Sequence, residues 1–571
     1  MKKSLLWVLF PFLTLLGSSA SPPLWDHNLQ RDLAALTKRG FTYRLLDNHL
    51  IELRDPLTSA KHLKSLQEQD EARIRAWAAQ RAVPILEINP NTIDTSHYSG
   101  WYVYWGQLPL SNGLGKPLVT GDVDRNGNAE VYGNTRIGVN FETKIFEIDT
   151  NGTSRFLFLY DPLPGLPRDL SNVDSDSLTE IVFSYVGLIS DFEQATLTGL
   201  PTQLGFRHER YQGNLDPGYT GIYLGSLDGD NLTDFLYKGS ECDSIDTTHC
   251  ITKVYVAEYN RQVNNFIRVW STDFDLNGNV AGVGGFAVGD FDGDGKPEFA
   301  VAELGTHRVF VVENTGDNSY RWTWQDSTPF VNLYFTVSGD VDHDSKPEFF
   351  VGATSNGSWT TMYEADSNDH YSPKFIIHLL SGGLFDEPTY LTTDVDGDGI
   401  LELVIMSGND LYIFKSKEDN AYYLWYLKRE DTKDAVQFYD FNHDGKEDFI
   451  ISKYRADSLG RGVDYADYYR ATGLASVKEL PNLPCEMTLK QNYPNPFNPS
   501  TTIEYSIPIR AKVTLGVYDL LGRRVAALVD GEENPGQHTV IWNGAAKSSG
   551  IYFCRLKTID HILTIKLLLL K

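Results

Sequence analysis

Positive charge is scarce in this chain. Against 76 Asp and Glu stand only 50 Lys and Arg, for a formal net charge of −26. A protein that grips nucleic acid needs Lys and Arg to neutralise phosphates, so this balance argues against DNA or RNA as a partner. Cysteine is scarcer still, with 4 residues in 571 and none in the C-x-x-C spacing of a zinc site. After the first 20 residues no stretch reaches the roughly 20 apolar residues that span a bilayer. The mature chain is therefore expected to have no transmembrane span. G-x-S-x-G, H-E-x-x-H and the Gly-rich phosphate loop are also missing, and His307, His343 and His443 are scattered. No catalytic residue is assigned.

What the chain has in abundance is carboxylate at a fixed spacing. Residues 289–302 read GDFDGDGKPEFAVA, with Asp290, Asp292, Asp294 and Glu298 at positions one, three, five and nine of a loop. The pattern occurs seven times. Copy one has Asp122, Asp124, Asn126 and Glu130, and copy two has Asn172, Asp174, Asp176 and Glu180. Copy three opens on Ser226 and continues with Asp228, Asp230 and Asp234. Copy five has Asp340, Asp342, Asp344 and Glu348, and copy six Asp394, Asp396, Asp398 and Glu402. Copy seven has Asp440, Asn442, Asp444 and Asp448. Ca²⁺ takes six to eight oxygen ligands, and a tight turn of carboxylates supplies most of them. Seven occupied loops would offset about 14 negative charges at two per ion.

Position two is apolar in every copy, and so is position ten. The loop thus alternates carboxylate with apolar residue, the period of a strand with one face toward a core. After position nine the chain runs into strand-like sequence such as FAVAEL (299–304) and LVIMSG (403–408). An EF-hand would need a bidentate Glu at position twelve and flanking helices. Here that position holds Val301, Val351 and Ile405, so the EF-hand is rejected. Copies recur at intervals near 50 residues, which means an array of one supersecondary unit. Four short strands fit in each unit, and radial closure into a propeller buries their faces. The expected fold is all-β: a seven-bladed β-propeller with calcium loops over 98–475. The strand WYVYWG (101–106) is one candidate to complete the last blade and close the ring.

Residues 1–20 read as a signal peptide, with Lys2 and Lys3 before an apolar core and Gly17-Ser-Ser-Ala20 at its end. Residues 21–97 form an N-terminal segment, partly helical, because 60–83 is rich in helix formers. Asp273, Asp275 and Asn277 imitate a loop start but lie too close to Asp290 for another unit. Cys242 and Cys250 bracket a short loop, and in an exported chain they are expected to form a disulfide. Residues 476–488 have linker composition. From 489 to 571, alternating strands follow a run with Pro494, Pro496 and Pro499, as in a small Ig-like β-sandwich.

Two resemblances follow from these motifs. Residues 115–455 resemble FG-GAP/VCBS-type repeats, the family that includes the integrin α-subunit propeller. The resemblance implies that positions one, three, five and nine ligate Ca²⁺ and that position seven gives a backbone oxygen. On this reading copies four and six are the best matches and copy three the weakest. Residues 485–571, with QNYPNPFNPSTTIEYSIP, VYDLLGRRVAALVDGE and SSGIYFCRL, resemble the type A C-terminal sorting domain of type IX secretion cargo. That implies contact with the type IX secretion machinery, and a chain secreted from, or held at the outer-membrane surface of, a Gram-negative-type bacterium. The expected function is a non-catalytic surface or secreted binding or adhesion protein for an unidentified glycan or protein. The alternative is a carbohydrate-active enzyme, similar to a polysaccharide lyase, on a calcium-stabilised propeller.

Overall fold

The computed structural model describes residues 33, 37, 42–45, 50–54, 61–65, 71–108, 115–137, 140–160, 166–172, 179–185, 188–193, 207–210, 223–242, 250–262, 265–272, 283–303, 307–355, 357–382, 388–430, 435–456, 462–472, 487–507, 511–533, 536–558 and 562–571. The signal peptide, the imitation loop at 273–278, Cys485 and most of the linker lie outside these residues, as do Asp174 and Asp176.

Alternation of apolar and polar residues drives the central region into short antiparallel strands. Among the described residues they form seven sheets in chain order, each a meander of three or four consecutive strands. Sheet one starts at Gly115–Gly121, sheet two at Leu166–Ser171 and sheet three at Tyr223–Gly225. Sheets four to seven start at Val283–Gly289, Leu333–Gly339, Thr389–Thr393 and Ala435–Tyr439. Each acidic loop joins the first strand of its sheet to the second. In sheet four Gly289 pairs with Glu298, so positions one to eight form the turn and position nine opens the next strand.

Neighbouring sheets share their cores. Sheets three and four bury Leu236 and Val254 with Phe299 and Phe310, and sheets four and five bury Val311 with Phe349 and Trp359. Sheets five, six and seven contribute Phe350, Ile405 and Phe449 to one cluster. Sheet seven in turn packs Phe441 and Ile450 against Val131 and Phe146 of sheet one. The last sheet therefore meets the first, as radial closure requires.

That closure uses the N-terminal part of the chain. The fourth strand of sheet seven is Tyr102–Gln107, antiparallel to Gly462–Ala471. Trp101 and Tyr102 are buried there against Tyr426 and Phe449.

Two expectations for the N-terminal segment need correction. Residues 60–83 are not one helical stretch. Lys61–Ser65 is the third strand of a small sheet with Thr42–Leu45 and Leu50–Arg54, and the helix is Glu71–Gln80. Helix propensity is a weak prior that a hydrogen-bonded ladder overrides. The central region also does not begin at 98. Ile85–Ile88 adds a fifth, parallel strand to sheet five, beside His370–Leu379. The helix packs Ile74 and Ala78, one turn apart on one face, into the core of sheets four and five. Glu87 accepts from Arg75 at 2.5 Å and lies 3.2 Å from Nδ1 of His378, whose buried ring stacks on Trp359. Four residues of strand are too few to stand out in the sequence.

At the C-terminal end two antiparallel sheets face each other. One is Thr488–Leu489, Ser500–Ile507 and Gly536–Asn543; the other is Arg524–Glu533, Ala511–Tyr518, Gly550–Lys557 and Ile562–Leu569. Phe497, Ile503 and Trp542 pack against Leu515, Leu556 and Leu567 between them. Cys554 is a free thiol buried in this core, and burial pushes it up to about 12.

Candidate metal centres

The loops are shaped by two left-handed residues. Position four is left-handed at Arg125, Gly229, Gly293, His343, Gly397 and His443, and position six at Gly127, Asn231, Gly295, Ser345, Gly399 and Gly445. Gly at position six in four copies marks that turn in the sequence, whereas position four, with Gly, Arg or His in these copies, carries no such mark.

This backbone divides the work of each carboxylate. One oxygen of acid nine accepts from the N–H of position two: Val123 to Glu130 at 2.8 Å, Leu227 to Asp234 at 2.6 Å, Phe291 to Glu298 at 2.7 Å, Val341 to Glu348 at 2.9 Å and Val395 to Glu402 at 2.7 Å. One oxygen of position one accepts from position six, as with Gly295 to Asp290 at 3.0 Å and Ser345 to Asp340 at 3.1 Å. The remaining oxygens turn inward. Glu130 Oε1, Asp234 Oδ1, Glu298 Oε1 and Glu348 Oε1 are buried without a hydrogen-bond partner, and so are Asp290 Oδ1, Asp340 Oδ1 and Asp342 Oδ1. Glu130, Asp234, Glu298 and Glu348 are fully buried.

A buried carboxylate with an idle oxygen is costly unless something pairs with it. Burial pushes Glu298 up to about 9 and Glu348 up to about 10, and Glu130 and Asp234 up to about 8 and 7. The ligand atoms of Asp290, Asp292, Asp294 and Glu298 all lie within 4.8 Å of one another. The same holds for Asp340, Asp342, Asp344 and Glu348, and for Asp122, Asp124 and Glu130. An all-oxygen donor set with idle inward oxygens fits a hard cation of the Ca²⁺ type.

The structure adds groups that the motif does not contain. Glu147, Glu258, Glu313 and Glu364, on the third strands of their sheets, stand beside acid nine. In copy three Glu258 and Asp317 gather with Asp228 and Asp230, while Ser226 accepts from Gly229 at 3.0 Å instead of supplying a carboxylate. The hairpin turn of the next sheet also reaches in. Asn318 donates its N–H to Asp228 Oδ2 at 2.9 Å, Asp369 to Asp292 at 2.8 Å and Asn420 to Asp342 at 2.8 Å. Position three therefore ties its loop to the neighbouring sheet. Each turn closes over two residues, but the partners lie 90, 77 and 78 residues apart in the chain, so no fixed sequence offset identifies them.

Copy six departs from its near-ideal sequence. Lys415 Nζ lies 2.7 Å from Asp396, 2.9 Å from Asp398 and 3.0 Å from Glu402. In copy seven the cap is not repeated: the N–H of Phe441 donates to the Tyr439 carbonyl at 3.0 Å, Asp448 accepts from Ala471 at 2.8 Å, and its Oδ2 is left idle. Asn442 and Asp444 remain beside Asp440 in that turn, where the Asp444 N–H donates to both Asp440 and Asn442. Of copy two, Asn172 is exposed and only the backbone of Glu180 is described. Cys242 and Cys250 stand opposite each other in the ladder of sheet three.

Residues 290–351 and 394–451 match the FG-GAP-like repeat, and residues 491–570 match the secretion system C-terminal sorting domain. Over 149 residues the chain is 30% identical to cartilage acidic protein 1 of Xenopus tropicalis, covering 24% of this chain and 23% of that protein. It thus spans about a quarter of the length of that curated relative. Among solved structures it resembles the Pseudomonas aeruginosa periplasmic gluconolactonase PpgL, at 10% identity over 70% of this chain and 94% of that one, with a TM-score of 0.36. It also resembles PorZ of Porphyromonas gingivalis, a surface component of the type IX secretion system, at 14% identity over 77% and 58% of the two chains, with a TM-score of 0.33. The chain is a β-propeller protein that carries FG-GAP-like repeats and ends in a type IX secretion C-terminal sorting domain, which marks it as secreted or cell-surface.

Proposed function

We propose that this protein is a seven-bladed propeller stabilised by Ca²⁺, carried by the type IX route to the surface of a Gram-negative-type bacterium or beyond it. There it serves as a non-catalytic binding or adhesion protein for a glycan or protein. Asp122, Asp124, Asn126 and Glu130, and the corresponding residues of copies two, three, four, five and seven, would hold the ions. The observation that carries the calcium reading is the set of fully buried acids, Glu130, Asp234, Glu298 and Glu348, each with one oxygen capping the turn and the other idle. When bound, Ca²⁺ would supply the positive charge that these oxygens lack. The seven sheets, with sheet seven packed on sheet one, support the blade count. The residues themselves hold the turn in shape and, through position three, clasp the next blade. The opposed Cys242 and Cys250 support a disulfide across sheet three.

Full-length mature protein tests this by thermal unfolding with Ca²⁺, with Mg²⁺ and with excess EDTA. A site at 100 times its Kd stabilises the native state by about 2.7 kcal/mol. A large fall in Tm under EDTA, restored by Ca²⁺ and not by Mg²⁺, is expected. An unchanged Tm sinks the calcium reading. Retention on glycan and protein arrays with Ca²⁺ present, without turnover, is expected of a binder; release of unsaturated sugar from polyuronate would overturn the non-catalytic role.

A further inference from the structure

The residue that faces acid nine across the ladder follows a pattern along the chain. Glu130 pairs with Glu147, Glu180 with Glu193, Asp234 with Glu258 and Glu298 with Glu313. In sheets five, six and seven the adjacent pairs are Phe349–Tyr363, Leu403–Phe414 and Phe449–Tyr469. One step further along the same ladders stand Glu364, Lys415 and Arg470. Copies one to five therefore place a glutamate beside the loop, and copies six and seven place a cation.

The two cations behave differently. Arg470 stays at the rim, 4.0 Å from Asp444, with its guanidinium 5.5 Å over the ring of Trp105. Lys415 reaches inside. Its ammonium touches carboxylates of positions three, five and nine, and only 14% of its side chain is exposed. Trp425 lies beneath it, 5.0 Å from Nζ to the ring centroid. Lys296 in copy four is the contrast. It ties Asp294 to Glu313 from the outside and reaches neither Asp290 Oδ1 nor Glu298 Oε1, which lack partners; in copy six Asp396 Oδ1 and Glu402 Oε1 also lack a hydrogen bond, but there the ammonium of Lys415 stands 3.0 Å from Glu402 Oε1.

We propose that Lys415 is a tethered cation that takes the place of Ca²⁺ in the sixth loop, so that the near-ideal motif Asp394, Asp396, Asp398 and Glu402 is not a calcium site. The residue facing acid nine on the third strand decides whether a loop takes an ion. A tethered ammonium pays no translational cost to occupy the site, whereas a free ion does. A divalent ion entering the same place would be repelled by it. The argument rests on the calcium reading of the other loops.

Counting bound Ca²⁺ by equilibrium dialysis of the full mature chain separates the two. Asp294→Asn is expected to lose one ion, while Asp398→Asn leaves the count unchanged. Lys415→Glu, which copies the arrangement of sheet four, gains one ion. Should Lys415→Glu fail to fold without metal, Lys415→Gln serves: its Tm falls under EDTA and recovers with Ca²⁺ more than the wild type does. A wild-type chain that binds no Ca²⁺ defeats the calcium reading itself. Loss of one ion in Asp398→Asn, or no gain in either Lys415 variant when the wild type binds Ca²⁺, overturns the assignment to Lys415 alone.

Discussion

Gly293 and Gly397 hold position four of their loops with nearly the same backbone, at φ of +74° and +75°. Their surroundings differ. A Cβ on Gly293 meets nothing within 4 Å, whereas a Cβ on Gly397 collides with the carbonyl oxygen of Gly445 in the loop of sheet seven. Alanine at either position adopts the left-handed region at a cost of about 1 kcal/mol. Gly293→Ala should cost no more than that. Gly397→Ala must also push apart two loops, and forced overpacking costs about 1–3 kcal/mol. Its total is therefore about 2–4 kcal/mol. Urea unfolding of both variants in saturating Ca²⁺ measures the difference, read as a shift in midpoint at constant slope. Equal losses would mean that the loops of sheets six and seven do not touch, and the account of interlocked loops would fail. The same interlocking occurs where sheet seven meets sheet one, with His443 Nε2 donating to the Gly127 carbonyl at 2.9 Å.

Three further outcomes are expected. Glu298→Gln keeps an acceptor for Phe291 but removes a charge; it should reduce the stabilisation by Ca²⁺ by one site, about 2.7 kcal/mol at 100 times the Kd, and an unaltered Ca²⁺ response in Tm would refute the role of Glu298. Deleting residues 1–108 removes the fourth strand of sheet seven together with the fifth strand of sheet five, so the remainder should lose its cooperative melt, which deletion of 1–70 should retain; near-equal melting of the two would refute closure by Tyr102–Gln107. Burial pushes Asp169 up to about 6. Because its folded pKa lies above the unfolded value near 3.9, its penalty is absent below about pH 4 and complete above about pH 6, so stability falls as pH rises through that window. Asp169→Asn should therefore add up to about 3 kcal/mol at pH 8 and nothing at pH 4; equal gains at both values would dismiss titration as the cause.

The repeats were legible because each carries its chemistry in one short stretch. Strand alternation around Asp290, Asp292 and Asp294, with Phe291 and Phe299 turned to the core, follows from the period of the strand itself. So do the strands after each loop and most of those in the C-terminal sheets. Arg524–Glu533 is not legible as a strand in the sequence, because it is an edge strand of its sheet and its alternation is weak. The helix Glu71–Gln80 lies within a stretch rich in helix formers, but its docking and the strand Ile85–Ile88 were hidden, because their partners lie far along the chain on sheets four and five.

For the metal centres the division is sharper. The sequence by itself determined the turn, the acids at positions one, three, five and nine, and the repeat of the unit, since all of these act between residues a few bonds apart. Only the tertiary structure decided what stands across from acid nine. Glu313 and Lys415 come from equivalent strands, yet one adds a carboxylate and the other brings its own positive charge. The hairpin tips at Asn318, Asp369 and Asn420 arrive from the next sheet altogether. The physical reason is the reach of electrostatics in a buried place. A carboxylate there responds to every charge within a few ångströms, and which charges those are depends on ladder register and on packing between sheets.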